Sequence, residues 1–188
     1  MKLYEQYPDH ITFGRRKYHL DLDFRNVLRM IDILQDDSLM PDAREYLAVK
    51  CVCRHPRKGM LFYIEKMLFP KKADPDRKRI TDYSQDADLI RAAFQQEYGI
   101  DLDTAKMHWM RFSCLLSGLP SGNRYSEVLS IRARPVPSPT QFNKEEREWL
   151  IRAKAECALD ISESERERQY QRDVANVASL LLGMVEKG

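Results

Sequence analysis

The sequence predicts a mainly α fold: a compact multi-helix domain with a short β-hairpin at its amino terminus and a helical extension at its carboxy terminus. Three observations predict it. Apolar residues recur at spacings of three and four through most of the chain, glycine and proline punctuate those stretches, and a short segment around Gly14 reads instead as two strands and a turn. The expected boundaries are a domain over 1–134, a proline-rich linker over 135–142 and a helical extension over 143–188.

The elements follow in order. His10 to Phe13 and Lys17 to Leu20 flank Gly14-Arg15-Arg16, with glycine supplying the unusual backbone angle of a tight turn. A lone hairpin is marginal in water, so this one must pack on helices. Asp21 or Asp23 then caps a helix whose Phe24, Val27, Leu28, Ile31 and Leu34 recur at helical spacing, closed by Asp36-Asp37. Pro41 suits the first turn of a second helix, with Tyr46, Leu47, Lys50 and Cys51 near one face and Val49 and Val52 widening the apolar surface. Met60 to Phe69 is apolar nearly all round, which predicts a short buried helix, and the charged, proline-broken stretch from Pro70 to Arg79 predicts a loop.

The segment Asp86 to Pro120 carries the densest information. It predicts two helices meeting across Gly99-Ile100-Asp101-Leu102-Asp103, one with Leu89, Ile90, Ala93 and Phe94 on a stripe, the other with Met107, Met110, Cys114 and Leu115. Gly99 and Gly118 stand where a left-handed helix stop is wanted. Tyr125, Val128, Leu129 and Ile131 predict one more short helix between Arg124 and Arg134, and the alternate prolines of Pro135-Val136-Pro137-Ser138-Pro139 impose an extended spacer. Asn143 with Glu146 resembles a capping box opening a helix with Trp149, Leu150, Ala153 and Cys157, and Ser162 with Glu165 opens another with Tyr170, Val174, Val177, Leu181 and Met184.

Composition bounds function more by exclusion than by indication. The 31 basic and 29 acidic side chains leave +2, so no global field draws the chain to nucleic acid or an anionic membrane. Charge is segregated locally: Arg54 to Arg79 holds nine Lys and Arg against three acidic residues, whereas Asp82 to Asp103 holds six acidic residues against Arg91. Such segments face each other, a partner or solvent, and a solvated basic loop beside an acidic helix is the simplest arrangement. No apolar run approaches the roughly 20 residues that span a bilayer, and the first residues lack the apolar core of a signal peptide, which leads us to expect a soluble, cytoplasmic protein. Cys51, Cys53, Cys114 and Cys157 sit mostly in helical patterns, so reduced, buried thiols are expected.

No residue pattern announces a reaction. Cys51-Val52-Cys53-Arg54-His55 lacks zinc-knuckle spacing and a second ligand pair. His108 has no Ser or Cys companion and reads as a hydrogen-bonded helix histidine, while Asp101 and Asp103 read as caps for the following helix. Leu119 to Arg124 is a turn without the Lys-Ser/Thr of a nucleotide site. The basic loop with Lys71, Lys72, Arg77, Lys78 and Arg79 could contact phosphates, but lacks the interleaved aromatics of a single-strand binder. We therefore expect no catalytic residue, no metal and no cofactor.

Several short motifs nonetheless resemble a known family. Asp86-Ala87, Tyr98-Gly99-Ile100-Asp101-Leu102, His108-Trp109, Phe112 and Leu116-Ser117-Gly118-Leu119 resemble the signature region of the bacteriophage gene-product-fifteen family. Tyr7-Pro8, Ile11, Gly14, Tyr18 and Leu22-Asp23-Phe24-Arg25-Asn26-Val27-Leu28 are similar to its opening, and the likeness runs from about residue 7 to about residue 160. Met110 stands where a second aromatic would be expected, and the charged helix after Asp160 has no counterpart.

The resemblance implies a non-enzymatic protein of the tail region of a long-tailed phage or prophage, in the host cytoplasm. A gene position near the tape-measure protein implies a chaperone-like role in tail morphogenesis. Its partner would then be a long helical chain whose apolar stripes need masking. The expected contact residues are the exposed members of Met60, Leu61, Phe62, Met67, Leu68 and Phe69, with the carboxy-terminal stripe of Val174, Val177, Leu181 and Met184. The same stripe could join two copies. The alternatives are a structural subunit of the tail or connector retained in the virion, and a weak nucleic-acid-binding regulator.

Overall fold

A computed structural model of the chain describes residues 4–70 and 79–160. Among these the order is β1 (His10–Phe13), β2 (Arg16–His19), α1 (Phe24–Gln35), α2 (Pro41–Val52), α3 (Met60–Leu68), α4 (Ala87–Tyr98), α5 (Trp109–Ser117), α6 (Arg124–Ala133) and α7 (Lys144–Glu156). The fold is mainly α with an amino-terminal hairpin, as the spacing predicts. The chain divides into two units, Met1–Arg134 and Pro135–Gly188.

In the first unit, the hairpin closes with a two-residue turn. Phe13 pairs with Arg16, and Gly14 at φ +61° takes the first turn position, where a primed turn needs positive φ. The chain then bonds from Asp21 N–H to Val52 O at 2.8 Å, tying the hairpin's exit to the end of α2. Asp23 caps α1 by accepting the Arg25 N–H at 3.1 Å, and Phe24, Val27 and Met30 point inward. α1 packs on α2, and α5 packs on α1. The core centres on three parallel rings: Phe112 stacks on Phe24 at 4.8 Å and on Phe94 at 5.2 Å, joining α5 to α1 and to α4.

Several faces differ from the sequence expectation. In α2 the buried residues are Ala48, Val49 and Val52, while Tyr46 and Leu47 are exposed, because the closely packed α1 accepts a small or β-branched surface. In α3 only Met60, Ile64 and Leu68 are buried, one row at four-residue spacing, so this helix lies on the core and is not enclosed by it. In α5 the inward residues are Trp109 and Phe112; Met107 is buried just ahead of the helix, Met110 is half-buried and Cys114 is exposed. At about 100° per residue, Trp109 and Phe112 lie on roughly the opposite side of the helix from Met110 and Cys114, so the inward face is turned by about half a turn from the predicted stripe.

Gly99 stops α4 at φ +63°, as expected of a left-handed stop. Gly118 does not: its φ is −92°, and a Cβ there would lie 3.2 Å from Cys114 O, so close approach and not handedness favours glycine. α4 and α5 meet through Phe94, Phe112 and the Tyr98 hydroxyl, which donates to Leu115 O at 2.8 Å.

In the second unit the backbone runs without regular structure from Pro135 to α7. Asn143 stands at the N-cap of α7 but does not cap it with its side chain. Its Oδ1 accepts Thr140 N–H at 2.8 Å and its Nδ2 donates to Ser138 O at 2.9 Å, closing the preceding turn instead. Leu150 is fully buried; Phe142, Trp149 and Ile151 are exposed. The helix expected after Ser162, with Val174, Val177, Leu181 and Met184, lies outside the described residues.

Candidate protein-binding face

The motif residues that the sequence singles out converge on one junction. Asp23, Phe24 and Arg25 open α1, and His108 and Trp109 open α5, so two helix starts with unsatisfied N–H groups lie side by side. They satisfy each other. Phe24 N–H donates to Met107 O at 2.9 Å and Trp109 N–H to Leu22 O at 2.8 Å, while the Asp23 carboxylate accepts Met107 N–H at 3.3 Å. Arg25 completes the junction by donating to Leu102 O at 2.7 Å and Asp103 O at 3.0 Å.

His108 is the N-cap of α5. Its Nδ1 accepts Met110 N–H at 3.1 Å, which places the ring proton on Nε2, and Nε2 donates to Pro8 O at 3.1 Å. Tyr7 stacks on the imidazole at 5.0 Å. Both ring nitrogens are thus committed to backbone. Asp101 and Asp103 do not cap α5, which begins six residues after Asp103. Asp101 holds its own turn, accepting Asp103 N–H at 2.9 Å, and this bond above all keeps its carboxyl below the ordinary range.

A second polar cluster fastens α6. Asp86 is 1% exposed, and its two oxygens accept Arg132 Nη1 and Nη2, each at 2.8 Å. Asp82 N–H donates to the same carboxylate at 3.0 Å, and Thr81 links it to the Tyr125 hydroxyl at 3.0 Å. Burial raises both Tyr125 and Tyr83, keeping these phenols neutral.

Where the polar clusters close on the scaffold, α3 opens outward. Of the residues expected at a contact surface, Phe62 is 65% exposed and Phe69 39%, Leu61 and Met67 are half-buried, and Met60 and Leu68 are core. The last two follow the inward row of α3, so they support the face from beneath. Tyr63, 46% exposed, belongs to the face and was missed, though its place beside Phe62 was readable. Phe62 meets Tyr63 at 5.5 Å, Tyr63 meets Phe13 of the hairpin at 5.5 Å, and Phe13 meets Tyr18 at 6.5 Å, a continuous aromatic run from α3 onto the hairpin. At the other end of α3, Met67, Leu68 and Pro70 border a groove of about 820 Å³ whose other walls include Tyr7, Asp9, Trp109 and Met110.

Cys53 is buried, Cys51 is half-buried with its thiol raised by burial, and His55 is exposed. Among the described residues no group of three or more His, Cys, Asp or Glu side chains could hold a metal ion, and no helix is long and apolar enough to cross a membrane.

These features define a class: a mainly helical protein whose polar clusters are satisfied within its own scaffold and in which the exposed Phe62 and Tyr63 of α3 join half-buried rings of the hairpin, with further exposed apolar side chains such as Tyr46 and Leu47 on α2. The family model described as bacteriophage Gp15 protein matches residues 3–73 and 64–159, and the chain belongs to that family. Searches among curated proteins and among solved structures found no match.

Proposed function

We propose that this chain is a non-enzymatic tail-assembly protein, a chaperone-like partner of the tape-measure protein during tail morphogenesis in the host cytoplasm. The exposed aromatic face of α3, with Phe62, Tyr63 and Phe69, carries the reading. Solvent-facing aromatics cost solubility unless a partner covers them, and they match the apolar stripe of a helical chain. Half-buried Met67 and Leu61 add adaptable edges. The family supplies the phage context, and the tail location implied by the sequence resemblance supplies the partner. The stripe of Val174, Val177, Leu181 and Met184 is a second contact, proposed from its spacing alone.

Co-expression with a tape-measure fragment from the same genome, followed by size exclusion, tests the proposal. The fragment should become soluble and co-elute, and both Phe62→Ser with Phe69→Ser and Val177→Asp with Leu181→Asp should abolish co-elution while the far-ultraviolet circular dichroism is retained. A fragment that precipitates while this protein runs as a defined oligomer would overturn the chaperone role in favour of a virion subunit.

A further inference from the structure

We propose that the aromatic run is the seat of an amphipathic partner segment whose apolar stripe is flanked by acidic residues. This rests on the partner-binding reading above and adds the sign of the partner's charge. The run Tyr18, Phe13, Tyr63, Phe62 crosses from β2 to α3 with ring centroids 5.5 to 6.5 Å apart. Cations bracket it at both ends. Arg16 is the cross-strand partner of Phe13, and Tyr18 is that of Ile11, so Arg16 stands on the hairpin face that carries Phe13 and Tyr18. Lys66 follows Phe62 by four residues and Tyr63 by three, which puts it on their side of α3.

Arg15 adds charge in the hairpin turn, whereas Lys17, opposite Thr12, lies on the other face of the hairpin. Arg15, Arg16 and Lys66 are exposed, and none has a carboxylate partner among the described residues. The contrast is Lys58, which bonds Asp42 at 2.9 Å just before α3. Glu65 is the one carboxylate of α3, against Lys66 on the same helix and Arg15 and Arg16 on the hairpin. A partner helix laying apolar side chains on the rings would carry its flanking residues over these cations. Acidic flanks gain attraction there, and basic flanks are repelled.

Single-stranded nucleic acid also combines with aromatics and cations, but it needs ring faces in register with successive bases. Here neighbouring rings meet edge to face, at 88° for Phe13 and Tyr63 and 89° for Phe62 and Tyr63, so adjacent rings present crossed planes. That geometry receives branched aliphatic side chains between the rings and disfavours a continuous stack.

The test uses the full chain against overlapping synthetic peptides covering the tape-measure protein and the other tail proteins of the same genome, read by fluorescence anisotropy. A thymidine oligonucleotide serves as the competing probe. The peptides bound should carry acidic residues beside an apolar stripe. Arg16→Glu with Lys66→Glu should weaken them about tenfold or more at moderate salt, and Phe62→Ser should do the same. Phe142→Ser, in the second unit, should leave binding unchanged. Binding of acidic-flanked peptides that come only from another tail protein would support this surface while refuting the tape-measure partner. Solubilisation of a tape-measure fragment that survives the charge reversal would support the partner and overturn the surface. Binding restricted to basic peptides, tight binding of the oligonucleotide, or no peptide bound at all would also overturn it.

Discussion

Replacing Asp86 by Ala should be among the most damaging single changes in the described part of the chain. The carboxylate accepts two charge-assisted bonds from Arg132 at 2.8 Å, the Asp82 N–H at 3.0 Å and the Thr81 hydroxyl at 3.4 Å, all at a site 1% exposed. Two bonds to a charged group are worth at least about 3 kcal/mol together, and a buried N–H left without an acceptor costs about 1 kcal/mol more. The expected loss is therefore about 4 kcal/mol, inside the range of about 3 to 5 kcal/mol for breaking a buried pair from one side. Against a typical total of about 5 to 15 kcal/mol, that is a large share. Urea unfolding followed by circular dichroism measures it as a shifted midpoint at constant slope. Asp86→Leu combined with Arg132→Met removes both charges and should recover about half, because the Asp82 N–H stays unsatisfied. A loss below about 1 kcal/mol for Asp86→Ala would refute the argument, since that is how a solvated surface pair behaves.

Three further outcomes are expected. His108→Ala loses the cap on α5 and the bond to Pro8 O and should cost about 2 kcal/mol in the same urea assay, whereas His108→Asn keeps a capping acceptor and should recover about half. Arg25→Lys keeps the charge but loses the fork in which Nη2 donates to Leu102 O and Asp103 O while Nη1 donates to Asp23 Oδ1, and should lower the thermal midpoint where a conservative exchange would not. Burial raises the Glu65 carboxyl above 4.5, so the fold prefers it protonated: its destabilising effect is absent below 4.5 and sets in as pH rises through the folded value. Glu65→Gln should therefore gain stability at neutral pH, with the gain disappearing in unfolding curves below pH 4.5.

Local rules carried the elements well. Gly14 in its turn, Asp23 as a cap and Gly99 as a stop all act within a few residues of themselves, and their chemistry is legible one segment at a time. Faces were harder. In α3, MLFYIEKML has apolar residues on every side, so periodicity alone cannot choose the row Met60, Ile64, Leu68 over the row that contains Phe62. The chosen row depends on what the neighbouring elements leave open. In α2 the bulky Tyr46 and Leu47 offer more apolar area than Ala48, yet the closely packed α1 takes the smaller surface. Longer connections left no trace in the pattern: Arg132 and Asp86 are 46 residues apart, and nothing local pairs them. The aromatic face was half legible, since Phe62 and Phe69 were named from the sequence but the join of Tyr63 to Phe13 requires the hairpin to fold back on α3.

The shared start of α1 and α5 also constrains how the protein comes into being. Phe24 is synthesised long before Met107, yet the first helix has its terminal N–H accepted only when the chain has grown 83 residues further. A nascent chain ending anywhere in between carries α1 with its Asp23 cap but with the Phe24 N–H lacking Met107 O and without Phe112 to sit against the Phe24 ring. The first unit is thereby expected to complete its fold late and in one step, with the ribosome already past α5. Until then its own apolar stripes are as exposed as those it is proposed to cover, which places the earliest need for protection in this protein itself.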